Sequence, residues 1–325
     1  MALLCSPAGS GESNIRRYII ENDYLEAIIA LPENMFYNTG IATYIWILTN
    51  RKPTRKQGKV QLIDASSWSV PLRKNLGKKN CEFSEAQIKT ISDLLIDFCE
   101  TKQSKIFPNK ALGYSKITVE RPLRLKVDLS RRSLSQFAKR CTQEKESVLA
   151  ELVSNIAQEN NLSSCNNYNT FIALVKKEMP LTKKRQDLLR KELTTIDENS
   201  EPVIKKLHQP RAKKPNPLQG LYEKKIDGKT AIIEYEPDSN LRDTEQIPLI
   251  EPGGIEAFFK REVLPYTPDA WIDSSKTTIG YEISFTKHFY EPIQMRSLQE
   301  IETDILALEQ ETEGLLSEIL GKASL

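Results

Sequence analysis

The apolar residues near the start of the chain form blocks and do not alternate with polar ones. Nearly continuous apolar runs cover residues 25–31, 41–49 and 60–63, and β-branched and aromatic residues dominate the second run. Continuous runs are typical of strands that are buried on both faces of a sheet. The pattern therefore predicts an α/β layer arrangement, in which helices cover a sheet on both sides.

Helical spacing predominates elsewhere. We expect helices after Ser13 and Ser84, each serine acting as N-cap, and further helices over residues 130–195 and 297–320. Residues 197–240 are rich in Lys, Pro, Asn and Asp and predict a long loop or a weak hairpin, whereas residues 2–5 resemble the end of a strand. Three strand runs are few for a doubly wound sheet, which usually has about five or more. Either the sheet is small, or the chain begins within a domain.

Composition limits the function classes. The chain has 325 residues, 39% hydrophobic and 28% charged, with a net charge of +2 and length enough for two domains. Its five cysteines are dispersed without CxxC spacing and it has two histidines, which argues against a disulfide framework and predicts no metal site. No apolar run of about 18 residues is present. We therefore expect a soluble, cytoplasmic protein with no membrane segment.

Positive charge is concentrated in residues 51–80, which hold nine basic residues and one acid, a net of +8 within a chain of +2. One interpretation is a solvated loop. The other is a surface that contacts the phosphates of DNA. The candidate backbone contacts are Arg51, Lys52, Arg55, Lys56, Arg73, Lys74, Lys78 and Lys79.

An aromatic pair precedes a turn sequence between the first two predicted strands. Phe36 and Tyr37 are followed by Asn38, Thr39 and Gly40. Asn-Thr-Gly is a favourable turn, and Phe36 could simply cover the core. Alternatively, one aromatic ring stacks on a planar ligand while Asn38 presents an amide edge to it.

The last predicted helix carries a heptad seam. Residues 296–325 contain seven acids and two bases, so the outer face of the helix is acidic. The seam could pack on the chain's own domain, or it could dock on a coiled coil of another chain. Its apolar positions are Leu298, Ile301, Ile305, Leu308, Leu315 and Ile319.

Several long motifs together resemble a known family. The stretch "GSGESNIRRYIIENDYLEAIIALPENMFYNTGIATYIWILTNRK", with "GKVQLIDASSW", "GYSKITVERPLRL" and "REVLPYTPDAWIDSSKTTIGYEISFTKHFYEP", is similar to the methylation subunit of type I restriction-modification systems. Members of that family are S-adenosylmethionine-dependent, adenine-N6 DNA methyltransferases. The resemblance is strong over residues 9–125 and 241–320 and weak over 130–235.

The resemblance implies a partial Rossmann-like methyltransferase sheet, its last strands, followed by a mostly α-helical C-terminal region. It suggests a methyltransferase part at 1–127, a variable part at 128–240 and an extension at 241–325. The family's glycine-rich cofactor loop and Asn-Pro-Pro-aromatic tetrapeptide are missing from this sequence. The chain thus resembles the C-terminal half of the subunit, with no complete catalytic or cofactor site, and we expect it to be inactive alone and not to bind S-adenosylmethionine.

The resemblance also implies roles and partners. Phe36 or Tyr37 would stack on a flipped target adenine, with Asn38 beside it. The last helix would dock on the specificity subunit, and a second methylation subunit, the restriction subunit and double-stranded DNA would complete the assembly. The alternative is a non-catalytic assembly module that binds the specificity subunit and the DNA backbone. A helical DNA-binding protein unrelated to methyltransferases is a third interpretation.

Overall fold

The computed structural model describes residues 2–226, 228–291 and 297–322, excluding the side chains of residues 2, 3, 309, 311 and 313–322. The helices are α1 (Ala2–Cys5), α2 (Gly11–Glu21), α3 (Glu85–Asp97), α4 (Arg131–Gln143), α5 (Ser147–Glu159), α6 (Tyr168–Glu178), α7 (Lys183–Leu193), α8 (Gly254–Phe258), α9 (Phe285–Phe289) and α10 (Leu298–Lys322). The strands are β1 (Leu25–Leu31), β2 (Thr43–Leu48), β3 (Lys59–Asp64), β4 (Val70–Leu76), β5 (Lys79–Glu82), β6 (Ser104–Pro108), β7 (Gly113–Glu120), β8 (Leu125–Asp128), β9 (Ser164–Cys165), β10 (Thr194–Ile196), β11 (Ile204–His208), β12 (Leu221–Ile226), β13 (Lys229–Tyr235), β14 (Asp243–Pro248), β15 (Trp271–Ile272) and β16 (Thr278–Tyr281).

The first sheet has the order β2-β1-β3-β6. β1 runs antiparallel to β2 and parallel to β3, and β6 is antiparallel to β3. Successive residues of β1 point to opposite faces of the sheet and pack in different cores. Ile28 packs with Ile20 of α2, whereas Ile29 packs with Ile91 of α3. The three predicted strands are therefore confirmed, and helices cover this sheet on both faces.

A second, antiparallel sheet is built around β7. β14 pairs with one edge of β7, and β15 and β16 pair with the other. Its core includes Ile117 of β7, Ile247 of β14 and Phe259. The tripartite division at 127/128 and 240/241 stays a prediction, but β7 of the first part and β14 of the third share this sheet.

Two further units complete the described chain. Helices α4 to α7 pack on β8 around a core that contains Phe137, Leu149 and Phe171, and β8 pairs with β9 and β10. A three-stranded antiparallel sheet has the order β11-β13-β12, and β4 and β5 form a separate hairpin. No helix in the described ranges is both long and apolar enough to cross a membrane.

Three local predictions need correction. The C-terminal region is helical over 131–193 and 298–322, but over 194–281 its regular elements are mainly antiparallel strands, so "mostly α-helical" is wrong there. β10, β14, β15 and β16 are short and pair with strands far away in the sequence, which local periodicity does not reveal. Residues 2–5 form helix α1, since a short apolar run fits either element. The N-cap of α2 is Ser10, whose side chain accepts a bond from the buried Ser13 amide, whereas the Ser84 cap of α3 is confirmed.

Candidate nucleic-acid interface

The loop that follows β1 exposes the aromatic pair. The Thr39 amide donates to the Phe36 carbonyl at 3.2 Å, which closes a tight turn. Asn34 and Asn38 adopt positive φ angles of 57° and 54°, a conformation that asparagine tolerates better than most residues. The turn leaves Phe36 47% and Tyr37 69% exposed. Both rings are therefore available to a ligand, and Phe36 is not a buried core residue.

The β4–β5 hairpin packs directly against this loop. The Asn80 amide donates to the Asn34 carbonyl at 3.1 Å, and the Cys81 thiol donates to the Glu33 carbonyl at 3.3 Å. At the hairpin turn, a methyl group on Gly77 would lie 2.6 Å from Asn38 Oδ1 and 3.0 Å from the Tyr37 ring. The sequence separates these two segments by about forty residues, yet the structure joins them.

The hairpin that packs on the aromatic loop carries four of the predicted backbone contacts. Arg73, Lys74 and Lys78 are exposed, Lys79 is half-buried, and none of the four forms an ion pair within the described ranges. Cations without carboxylate partners are available to neutralise phosphates. Loop 36–38 and the β4–β5 hairpin together form one basic and aromatic surface, which we call the hairpin surface.

The other half of the basic segment lies at the opposite end of β1. Lys52 is buried and bonded to Asp23 and to the Lys59 carbonyl, and Lys56 is buried and bonded to Glu26 at 2.7 Å. The prediction that Lys52 and Lys56 contact DNA phosphates is therefore wrong, because both side chains are buried and carboxylates already neutralise their charges.

Arg51 and Arg55 are exposed at that same end of the sheet. The Arg55 guanidinium donates to the Ile96 and Asp97 carbonyls at the end of α3, an arrangement in which a cation stabilises a helix C-terminus. The structure does not bring these two arginines together with the hairpin cations. Their role in DNA binding stays a prediction.

A separate aromatic cavity lies beyond the carboxyl ends of β1 and β3. Its volume is about 560 Å³, and its lining includes Tyr44, Asp64, Phe285 and Phe289. The rings of Tyr44 and Phe285 are 5.3 Å apart, and burial raises the pKa of Tyr44. Sequence analysis missed this cavity; Phe285 and Phe289, spaced four apart on α9, were its only signal. Phe36 and Tyr37 do not line it, so they belong to a different surface.

Comparisons with known proteins agree on one family. The N-6 DNA Methylase profile matches residues 4–119, a range that contains β1 to β6, the hairpin and most of β7. We call residues 4–119 the methylase segment, after the profile that they match.

Curated relatives of this methylase segment are named as methylase subunits of type I restriction enzymes. The MjaIX subunit of Methanocaldococcus jannaschii is 34% identical over 34% of this chain and 19% of its own length. The MpnII subunit of Mycoplasma pneumoniae is 36% identical over 25% of this chain and 16% of its own length. The chain thus matches less than a fifth of the length of either relative.

One solved structure is also similar. It is the methyltransferase subunit of a type I restriction-modification system from Streptococcus thermophilus, with 26% sequence identity over 34% of this chain and 22% of that chain. The TM-score of the comparison is 0.29.

Neither loop that follows a parallel strand of the methylase segment is rich in glycine. Of the loops that follow the two parallel strands, 32–42 contains one glycine and 65–69 contains none. Such loops lack the close backbone approach that glycine-rich cofactor loops provide. We assign no residue of this chain to S-adenosylmethionine. In the described ranges, no three His, Cys, Asp or Glu side chains cluster in a way that could hold a metal ion.

The last helix leaves its seam uncovered. Leu298, Ile301, Ile305 and Leu308 are all exposed, so these positions do not pack on the chain's own domain. The side chains of Leu315 and Ile319 lie outside the described residues, although their backbone continues α10. Where the seam is described, the packing interpretation is wrong.

Proposed function

We propose that this chain serves in the adenine-N6 methylation of DNA, as part of the methylation subunit of a type I restriction-modification system. The observation that carries the proposal is the hairpin surface, where two exposed aromatic rings and an amide stand beside four basic side chains. This arrangement lies within the methylase segment, whose sequence matches the N-6 DNA Methylase profile.

The target adenine has to leave the duplex before its amino group can react. We infer that Phe36 or Tyr37 stacks on one face of the extruded base and that the Asn38 amide lies at the edge of the stack. Stacking of a base on an aromatic ring contributes roughly 1–3 kcal/mol. That is enough to offset much of the unstacking free energy, but it does not move a methyl group.

The basic side chains have a different task. Arg73, Lys74 and Lys78 would neutralise phosphates that flank the extruded base, which positions the duplex without reading its sequence. S-adenosylmethionine supplies the methyl group in this family. Because neither loop after a parallel strand is rich in glycine, we expect the chain by itself not to bind it tightly.

The experiment measures N6-methyladenine in the DNA of cells that produce the protein. Substituting both Phe36→Ala and Tyr37→Ala should remove N6-methyladenine from one sequence motif, read by single-molecule sequencing. Tyr266→Ala removes a highly exposed aromatic ring far along the chain and should leave the motif methylated. Methylation that persists at every motif after disruption of the gene would refute the proposal.

A second candidate is a non-catalytic assembly module, which the exposed seam of α10 favours. In this role Leu298, Ile301, Ile305 and Leu308 dock on helices of a specificity subunit, and a second methylation subunit and a restriction subunit join the complex. The two candidates are compatible, since a subunit that presents DNA to a methyl donor also has to be held in place.

A further inference from the structure

A second basic surface lies on the three-stranded sheet of β11, β13 and β12. Residues 203–230 contain eight basic residues and two acids, a net charge of +6. This stretch lies outside the methylase segment, which ends at residue 119. Its charge is therefore not explained by the proposed base-stacking surface.

Six of these eight cations form no ion pair with the described residues; two of the six are Lys213 and Lys229, and the other four follow. Lys206, Arg211, Lys214 and Lys225 are exposed and form no ion pair with the described residues. Their neighbours differ: Lys205 pairs with Glu234 at 2.9 Å, and Lys224 pairs with Glu201 at 3.3 Å. Uncompensated like charges repel one another in the folded chain, so their concentration here calls for an external anion.

Strand register places two of the cations on one face. Lys206 of β11 lies opposite Glu234 of β13, and Lys225 of β12 lies opposite Thr230. Residues 230 and 234 of one strand point to the same side, since side chains alternate with a period of two. Lys206 and Lys225 therefore flank β13 on a common face.

Arg211 and Lys214 lie on the connection from β11 to β12. Pro210, Pro215 and Pro217 restrict its backbone. At its end, Gly220 has a φ of +73° and contacts Trp271, since a methyl group there would lie 2.8 Å from the indole ring. Ile233 of β13, the central strand of this sheet, is fully buried. Lys206 and Lys225 thus stand on paired strands, and Arg211 and Lys214 stand on the exposed connection between β11 and β12.

We propose that Lys206, Arg211, Lys214 and Lys225 form a second contact surface for the phosphate backbone of duplex DNA. The identity of this partner rests on the proposed function, whereas the surface itself rests on charge and register. Exposed cations on a sheet and on the connection beside it can contact an extended line of phosphates, and such contacts carry no sequence information. The surface would hold DNA beyond the methylated base.

The test uses the full chain and a duplex of about 30 base pairs of mixed sequence, since each phosphate contact adds about 0.9 to the slope of log affinity against log salt. The variant Lys206→Glu, Arg211→Glu, Lys214→Glu and Lys225→Glu should lower affinity about 10-fold or more and reduce the slope by about 3 to 4. Fluorescence anisotropy measures both quantities.

A matched variant separates local contact from overall charge. Arg131→Glu, Arg132→Glu, Lys139→Glu and Lys177→Glu reverse four exposed, unpaired cations on α4 and α6 and should leave the slope nearly unchanged. Thermal unfolding checks that both variants fold, and glutamine replacements at the four proposed positions should give a smaller loss. Equal effects of the two charge reversals would overturn the inference.

A third variant keeps the two proposals distinguishable. Arg73→Glu, Lys74→Glu and Lys78→Glu disable the hairpin surface alone. If this variant loses affinity while the β11–β12 variant binds like the matched control, the inference is wrong and the proposed function stands. If only the β11–β12 variant loses affinity, the hairpin surface is the one that fails.

Discussion

At the scale of single residues, Lys56 shows that a lysine in a basic segment can be structural. Its side chain is 5% exposed and that of Glu26 16%, and the Lys56 ammonium also donates to the Leu95 carbonyl at 2.7 Å. Removing one partner of a buried pair leaves the other charge uncompensated, which costs about 3–5 kcal/mol. We therefore expect Lys56→Met to lower the free energy of unfolding by that amount in urea titrations.

The control for this prediction lies three residues away. Lys59 is exposed, so Lys59→Met should change the free energy of unfolding by less than about 0.5 kcal/mol. Neither variant should weaken DNA binding in proportion to its stability loss. A Lys56→Met protein that is as stable as Lys59→Met would show that the buried pair does not hold α3 to the sheet.

Asp269 gives a prediction about pH. Burial by itself raises the pKa of this carboxyl, but hydrogen bonds from Arg121 and Arg124, at 3.0 and 3.1 Å, outweigh burial and hold the pKa below its usual value of 3.8. A depressed folded-state pKa contributes stability above the unfolded pKa, and this contribution is lost as pH falls toward the folded pKa. Asp269→Asn should therefore be less stable than the parent at pH 7.

The difference between the two proteins should shrink as pH falls below 3.8, because the parent carboxyl then becomes neutral as well. Chemical unfolding of both proteins from neutral to acidic pH measures this convergence. A stability difference that stays constant across the whole range would mean that the charge of Asp269 does not stabilise the fold.

At the scale of elements, the β4–β5 hairpin is expected to set the position of the aromatic loop. Gly77 and Gly58 both have positive φ angles, +60° and +69°, but only Gly77 has neighbours where a methyl group would stand. Gly77→Ala and Gly58→Ala should each lose about 1 kcal/mol of stability from backbone strain. Only Gly77→Ala should displace Tyr37 and Asn38.

Chymotrypsin, which cleaves after aromatic residues, can detect that displacement. Cleavage after Phe36 and Tyr37 should be faster in Gly77→Ala than in Gly58→Ala, and DNA affinity should fall only in the former. If the two variants are cleaved at equal rates, the hairpin does not support the loop.

The same elements show how far sequence patterns predict this fold. The sequence predicts the buried strands β1 and β3 and the Ser84 cap, since apolar runs and capping residues are local signals. The docking of Gly77 on Asn38 leaves none, because it depends on tertiary contact. Lys52 and Lys78 both lie in the basic segment 51–80, and nothing in the sequence distinguishes them. In the structure Lys52 is paired with Asp23, whereas Lys78 is exposed. After residue 194, the β12–β13 hairpin agrees with the weak hairpin predicted over residues 197–240, whereas the other strands were missed because their charged residues resemble a loop.

At the scale of the whole molecule, positive charge is divided between two surfaces. Residues 51–80 and 203–230 carry +8 and +6 in a chain of +2, so the remaining residues carry −12. Part of that negative charge lies on α10, whose acidic outer face would be repelled by DNA. A molecule with this distribution can hold a duplex on its basic surfaces while its last helix faces a protein.

The exposed seam of α10 gives the last prediction. Ile301→Asp, Ile305→Asp and Leu308→Asp place charges where knobs of a coiled coil would be buried, and this triple variant should lose co-purification with the specificity subunit. Gln299→Asp, Thr303→Asp and Gln310→Asp add the same charge to the same helix off the seam, and we expect this variant to retain the partner. Because the seam residues are exposed in the chain itself, both variants should unfold at the parent's temperature. Loss of the partner in both would attribute the effect to charge, and retention in both would show that the partner binds elsewhere.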